Sequence, residues 1–361
     1  MKVIGVDPGT KSFDVCGLED GEVKLDVSYP SEMVAVSPEK IVEVMENFHP
    51  DLMIGPSGMG LALKHISELD ERDQFELTIE RPDDQGKIPV LVGLQKMVSL
   101  LKEKKINVYF IPGVIHLPTV PQWRKINKID MGTADKMAIG VLGVYSEAKR
   151  KNISYNEVNF VLLEIGFGYN ACLAVENGKI VDGLGGTIFP GPGFLNSGTM
   201  DSEVAYLLGG FPKILLFSGG VSFITKDTIM TPEEFVGEVR KGNTKAGLAL
   251  EAFLEGIIKA VACELTTTKT DTVLLSGRLT RNQYLNEEIT KALQNKLGLE
   301  VVNLVGLTNV SKEAAQGSAL IADGLAGGKF QDLVEHLEIK KSKGRLLENI
   351  FIPGFEKTLR R

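Results

Sequence analysis

Three short turns in the 361-residue chain hold the residue types that phosphate chemistry needs. The first is Val3-Ile4-Gly5-Val6-Asp7-Pro8-Gly9-Thr10. An apolar run delivers Asp7 to a strand end, where a carboxylate is suited to hold Mg²⁺ through its waters, because Mg²⁺ takes hard oxygen ligands and keeps much of its hydration. The backbone N–H groups of Gly9, Thr10 and Lys11, with the Thr10 hydroxyl, would then face phosphate oxygens. The alternative is a plain hairpin turn whose Asp7 caps the backbone. The second turn is Glu164-Ile165-Gly166-Phe167-Gly168, in which Gly166 and Gly168 let the backbone approach an anion. Its Gly166-x-Gly168-x-x-Ala171 string superficially fits a dinucleotide fingerprint. That motif needs a helix directly after it, and Tyr169 to Val175 reads as a strand. The third turn ends an apolar run, Thr272-Val273-Leu274-Leu275-Ser276-Gly277-Arg278-Leu279, with Asn282 soon after. Gly277 would let the chain pass an adenine ring, with Arg278 stacked on it or solvated nearby.

The segment 114–136 is the candidate for substrate contact, through His116, Trp123, Arg124 and Asp130. Arg124 is suited to neutralise a carboxylate or a transferring phosphoryl, and its plain alternative is a solvated loop cation. Gly132-Thr133-Ala134-Asp135-Lys136 opens a predicted helix, where free N–H groups attract anions. Asp135 is there either to take a proton from an acceptor hydroxyl or simply as a first-turn acid favoured by the helix dipole. Gly55-Pro56-Ser57-Gly58 is a further glycine turn after a strand, and Ser57 is placed on a substrate-pocket wall. Arg81, Asp83 and Asp84 lie in a polar insert, read as a solvated loop before a lid. His49, His65 and His336 show no metal-ligand spacing and take no role.

These residues need a scaffold, and the sequence supplies it twice. After β-like runs over 3–6, 13–18 and 23–29, with a turn at Asp20-Gly21, come a helix over 38–47 capped by Ser37, a strand over 52–54, a helix over 89–104, a strand over 108–111 and a helix over 133–149. Then the pattern restarts at 160–163, 171–175 and 180 onward, with Asn177-Gly178 as the turn. Asp7 to Gly21 and Glu164 to Gly178 are both 14 positions. At that offset Gly9 falls on Gly166 and Val23 on Ile180. Helices over 245–265, 283–296 and 312–325, with strands over 272–275 and 300–304, complete the second half. Such repetition decides the fold: two α/β lobes of ribonuclease-H type, each a mixed sheet covered by helices, with the site in the cleft between them. The lobes are placed at 1–153 and 154–328, with a helical tail over 329–361 packed back on the first.

Composition sets outer limits. Hydrophobic residues make up 43% and charged residues 24%, which suits a folded soluble chain. The net charge of −7 argues against broad binding to nucleic acid or to an anionic membrane. The three cysteines stand far apart with no CxxC pair, which fits a reducing cytoplasm. The opening run reads as a strand rather than a signal peptide, and no apolar stretch nears a membrane span.

In order, the three turns resemble the phosphate-one, phosphate-two and adenosine motifs of the acetate kinase, sugar kinase, Hsp70 and actin superfamily. Ala314-Ala315-Gln316-Gly317-Ser318-Ala319 is similar to that superfamily's second connecting helix, where small residues let two helices pack at the hinge. The resemblance spans 2–328. It implies an actin-like ATPase fold, ATP and Mg²⁺ as cofactors, and Asp7 and Glu164 as metal-facing carboxylates. Glu164 stands where the superfamily usually has Asp, and Arg278 where a second glycine is common. Asp182 to Thr187, Pro190 to Phe194 and Ser197 to Met200 resemble butyrate kinase sequence, and the whole layout resembles an uncharacterised archaeal family labelled predicted butyrate kinase. Gly132 to Lys136 resembles the helix start of type III pantothenate kinases, with Lys136 in place of Arg.

The implied activity is phosphoryl transfer from ATP to a small molecule, foremost a short-chain carboxylate. A carboxylate needs no base, whereas a hydroxyl acceptor would use Asp135. Two other classes compete: a non-catalytic ATP-driven switch, and a nuclease of the Holliday-junction resolvase type, which Gly5 to Thr10 also resembles. The resolvase reading suits neither the chain's length, its acidity nor its second lobe. Assembly as a homodimer is left open.

Overall fold

The computed structural model describes residues 1–355. The end of the tail placed at 329–361 therefore lies outside the described residues. Two sheets form. The first contains β1 (Lys2–Pro8), β2 (Ser12–Glu19), β3 (Glu22–Pro30), β4 (Leu52–Ile54), β5 (Lys64–His65) and β6 (Val108–Phe110), in the order β3-β2-β1-β4-β6-β5. The second contains β7 (Phe160–Ile165), β8 (Asn170–Glu176), β9 (Lys179–Leu184), β10 (Thr272–Ser276) and β11 (Glu300–Asn303), in the order β11-β10-β7-β8-β9. Each has an antiparallel three-stranded meander extended by two parallel strands, and in the first sheet β5 adds an antiparallel edge on β6. The offset that carries Asp7 onto Glu164 also carries the bulge at Gly17/Leu18 onto the bulge at Ala174/Val175. The repeat thus extends to an irregularity of pairing. This is the two-lobe, actin-like ATPase fold expected from the sequence.

Strand alternation sets the layers, because successive side chains point to opposite faces. In β1, Val3 faces a central core shared by both sheets, while Ile4 and Val6 face an outer core of the first sheet. In β7, Leu162 faces the central core, while Val161 and Leu163 face the outer core of the second sheet. Two helices run through the central core and exchange partners. Ala134–Lys151, from the first half of the chain, packs on the second sheet, with Gly140 against Leu173 and Ile180. Glu313–Leu325, from the second half, crosses β1 so closely that a Cβ at Gly5 would meet its backbone at Ala315 and Ala319. The two helices touch where Gly317 lies on the Ala138 carbonyl, so small residues do set this crossing.

Two local readings need correction. Ser37 does not cap the next helix. Its N–H closes a preceding helix, Ser31–Val36, onto the Met33 carbonyl at 2.8 Å, and the following helix, Glu39–Asn47, starts after Pro38 without a side-chain cap. Among the described residues, the tail forms one short α-helix, Gln331–His336, and a 3-10 turn at Ile339–Lys341 rather than a continuous helix. It then contacts both halves, through Arg345 to Asp70 and Asp73 and through Lys179 to Glu338. Among the described residues, no helix is long and apolar enough to cross a membrane.

Candidate active site

The equivalent ends of β1 and β7 open onto one cavity of about 420 Å³. Each strand hands its carboxylate to a turn closed in the same way, with Gly9 N–H donating to Ser12 O at 2.9 Å and Gly166 N–H to Tyr169 O at 3.0 Å. The turns meet across the cavity, and a Cβ on Gly168 would stand 3.0 Å from the Thr10 hydroxyl. Lys11 lies 4.7 Å above the Phe167 ring, a cation–π contact between the two halves.

Each carboxylate is paired with a lysine carried by an exchanged helix. Lys312, the residue before Glu313–Leu325, places its ammonium 2.5 Å from Asp7 Oδ2 and 3.2 Å from Asp14 Oδ2. Lys136, in the first turn of Ala134–Lys151, stands 2.7 Å from Asp135 Oδ2 and 3.0 Å from Glu164 Oε2. Burial disfavours charge on all these groups. It pushes the Asp7 carboxyl up to about 6, against the pull of Lys312, and it raises Glu164 against the pull of Lys136. Asp135 stays below the usual carboxylate range despite its burial, because Lys136 and the Thr133 hydroxyl both donate to it. Both lysines resist burial through their carboxylates, Lys312 at about 12 and Lys136 higher still.

The cavity wall includes most of the expected residues: Asp7, Gly9, Thr10, Lys11, Ser57, Asp130, Asp135, Glu164, Gly166, Gly168, Gly277 and Arg278. Gly277 adopts φ +103° and lies on the Ile165 backbone, a close approach that excludes any side chain. Arg278 reaches across to the Ser12 hydroxyl at 3.3 Å. Two wall residues are already occupied. The Ser57 hydroxyl donates to Gly55 O and accepts from Ile111 N–H. Asp130 accepts from Gly132 N–H and from both the N–H and the hydroxyl of Thr187. Asn282 caps the helix Gln283–Leu297. It lines a second cavity of about 520 Å³ that shares Lys11, Phe167 and Arg278 with the first.

Three expected residues are not brought to the cleft. Arg124 donates to the Val181 carbonyl at 2.7 Å and pairs with Asp182 at 3.4 Å. It is spent on β9, to which it ties the short helix Gln122–Lys125. Trp123 on the same helix is 72% exposed. His116 is buried with neither ring nitrogen bonded among the described residues, and burial pushes its pKa down to about 4, which keeps it neutral. No turn motif marks Lys312 or Asp14, the pair that meets Asp7. Asp14 is legible only in hindsight, as an acid on the β2 register opposite Asp7.

Residues 5–352 match the family described as Protein of unknown function (DUF1464). The chain belongs to that family. No curated protein matches its sequence. Its structure is similar to a propionate kinase from Francisella tularensis subsp. tularensis, with 13% identity, a TM-score of 0.61, and coverage of 88% of this chain and 98% of that one. It is also similar to acetate kinases from Porphyromonas gingivalis (15% identity, TM-score 0.58, 88% and 98% covered) and Entamoeba histolytica (12%, 0.58, 82% and 87%). At such identities the likeness is one of fold, and the fold is that of the acetate kinase, sugar kinase, Hsp70 and actin superfamily.

Proposed function

We propose that the protein is an ATP- and Mg²⁺-dependent phosphotransferase acting on a small molecule, foremost a short-chain carboxylate that leaves as an acyl phosphate. The reading rests on one observation: two carboxylate–lysine pairs, Asp7 with Lys312 and Glu164 with Lys136, face a single cavity between two matching glycine turns. The solved structures it resembles are titled as acetate and propionate kinases, which agrees with this reading. In it, residues 1–153 and 154–328 act as lobes that close on the nucleotide. The phosphates lie on the Gly9–Lys11 and Gly166–Gly168 turns, and the adenosine passes Gly277 and Arg278 toward Asn282.

The residues suit Mg²⁺. Asp7 and Asp14 each keep a buried oxygen with no hydrogen-bond partner among the described residues, and such hard oxygens suit a cation that keeps its waters. No cluster of three or more His, Cys, Asp or Glu side chains that could hold a metal occurs among the described residues. In this reading Asp7 and Glu164, the carboxylates at the equivalent strand ends, would hold the ion together with water and phosphate oxygens. The ion would supply positive charge to the bridged phosphates. What the chain itself does is position and neutralise. Lys136 balances charge in place of Arg124, and Thr133, Asp135 and Lys136 set the entry of the Ala134–Lys151 helix.

A carboxylate acceptor is nucleophilic without a base, and Asp135, tied to Lys136, is poorly placed to serve as one. Apolar side chains at Met59, Leu77, Ile79, Leu94 and Phe217 line the same cavity, a surface suited to an alkyl chain. A hydroxyl acceptor is the second reading. It is favoured by the polar side of the same wall, where the Thr133 and Thr187 hydroxyls and Asp130 would hold a hydroxylated substrate. The test is ADP release from Mg·ATP against short carboxylates, sugars, polyols and pantothenate. Saturable release with one class identifies the acceptor. Slow hydrolysis that no acceptor stimulates would favour an ATP-driven switch instead.

A further inference from the structure

We infer that Lys312 is a catalytic residue of the proposed transfer, with an ammonium that leaves Asp7 and binds the transferring phosphoryl, and that Asp14 is the positioning residue that keeps it within reach. The inference rests on the phosphotransferase reading and adds a residue to it.

Four observations carry it. First, the ammonium lies on the phosphate turn itself, since a Cβ at Gly9 would collide with it. Second, the chain leading into it is clamped from both sides. Gln316 accepts from Leu307 N–H at 2.5 Å and donates to Ser311 O at 2.7 Å, while Asp26 on β3 accepts from Ser311 N–H at 2.7 Å. The Cα is held and only the four-carbon arm is free to swing, which suits a lysine better than a rigid arginine fork. Third, the arm has two partners. Asp14 is buried at 1% exposure and is itself fixed by the Ser12 hydroxyl at 2.7 Å, so the ammonium can release Asp7 and keep one counter-charge. Fourth, Ser12 also accepts from Arg278 of the other half. The relay Lys312–Asp14–Ser12–Arg278 therefore joins the phosphate turn to the turn beside the nucleotide.

With a carboxylate acceptor, the step balances without a proton. A lone pair on the acceptor oxygen forms the new bond to the γ-phosphorus. The bond from that phosphorus to the β,γ-bridging oxygen breaks, and its electron pair stays on the ADP oxygen. Lys312 keeps all its protons and stabilises charge on the moving phosphoryl, a role worth more in a closed site than in water.

The test is calorimetric titration of ATP and ADP, with and without Mg²⁺, alongside turnover with the acceptor that the screen identifies. Lys312→Met is expected to lose about 100-fold or more in turnover. It should also weaken ATP by about tenfold while ADP binding holds, because only ATP presents a γ-phosphoryl. Lys312→Arg should recover part of both. Lys312→Met leaves Asp7 and Asp14 facing each other and risks unfolding, so Asp14→Asn provides a second test, read as a lowered kcat and a reduced ATP-to-ADP preference with ADP affinity kept. Equal weakening of ATP and ADP would make Lys312 a purely structural partner of Asp7 and overturn the inference. So would wild-type turnover in Lys312→Met. If the unaltered protein binds neither nucleotide, the phosphotransferase reading falls and takes this inference with it; nucleotide binding indifferent to Lys312 ends this inference alone.

Discussion

The two halves share a topology, a bulge position and a turn hydrogen bond, yet their carboxylates are served differently. Asp7 meets a lysine held by a clamped loop and shared with a second acid, Asp14. Glu164 meets a lysine in the first turn of a helix, shared with the adjacent Asp135. In each case the lysine comes from the helix that closes the opposite half of the chain. Neither half therefore completes its own charge pair, and the pairing forms only when the exchanged helices are in place. A repeat built this way is one cooperative site rather than two.

The sharpest way to break the symmetry is to neutralise each carboxylate in turn. Asp7→Asn keeps size and removes charge, and turnover should fall by orders of magnitude at every Mg²⁺ concentration. Its melting temperature should hold or rise, since burial already opposes the charge. Glu164→Gln should cost less, because its side chain has one more methylene and Lys136 retains Asp135. Turnover of both variants across a Mg²⁺ series checks the order, and equal losses would mean that the two pairs do the same work.

The next effect is on nucleotide binding. Gly168→Val would push against the Thr10 hydroxyl and hold the turns apart. ATP and ADP should both weaken by about tenfold or more, with little change in melting temperature, as read by calorimetry. Bulk where the two exchanged helices cross should do the reverse. Gly317→Ala places a methyl against the Ala138 carbonyl in a crossing without slack, and overpacking of this kind costs about 1–3 kcal/mol. A lower urea midpoint with nucleotide affinity unchanged is the expected result.

Much of this was legible because the repeat is written in residue types with local causes. Asp20-Gly21 and Asn177-Gly178 fix two hairpins, and the hydrophobic runs at 3–6 and 160–163 are the buried strands that pair with the first strand of each. The glycine turns were legible for the same reason. The arginine at 124 was misplaced because nothing local says which face of a short helix meets a strand. His116 has the residue type of a substrate contact, but burial, which no local signal records, keeps its ring away from the cavity and unbonded among the described residues. Lys312 was invisible as a site residue because its meaning depends on Asp7, far away in sequence. Some missed helices did carry signals. Asp70 with Asp73 and Thr231 with Glu234 form reciprocal caps at Glu71–Thr78 and Pro232–Arg240, a pattern that marks a helix start.

The smallest expected effect lies beneath the two bulges. Below Gly17 in the first sheet packs the apolar ring of Phe48. Below Ala174 in the second lies Glu264, the last residue of the helix Thr244–Glu264, 1% exposed and with one carboxylate oxygen unpartnered among the described residues. Burial pushes this carboxyl up from 4.5 to about 9, and the nearby Asp182 adds to the shift while Arg124 and the Ala174 backbone oppose it. Cys172 and Cys263 are the other titratable neighbours, and burial raises both thiols. The folded protein thus holds a proton on Glu264 that the unfolded chain gives up above about 4.5. Between these two values the native state binds more protons, so its stability falls as pH rises and levels off beyond about 9. Glu264→Gln keeps the shape and removes the titration. Its melting temperature should match the unaltered protein near pH 5 and exceed it by roughly a few degrees at pH 8.5, given the size of the chain. Parallel melting curves across that range would mean that the carboxylate is charged in the fold, and that the second bulge, unlike the first, is built to hold an ion.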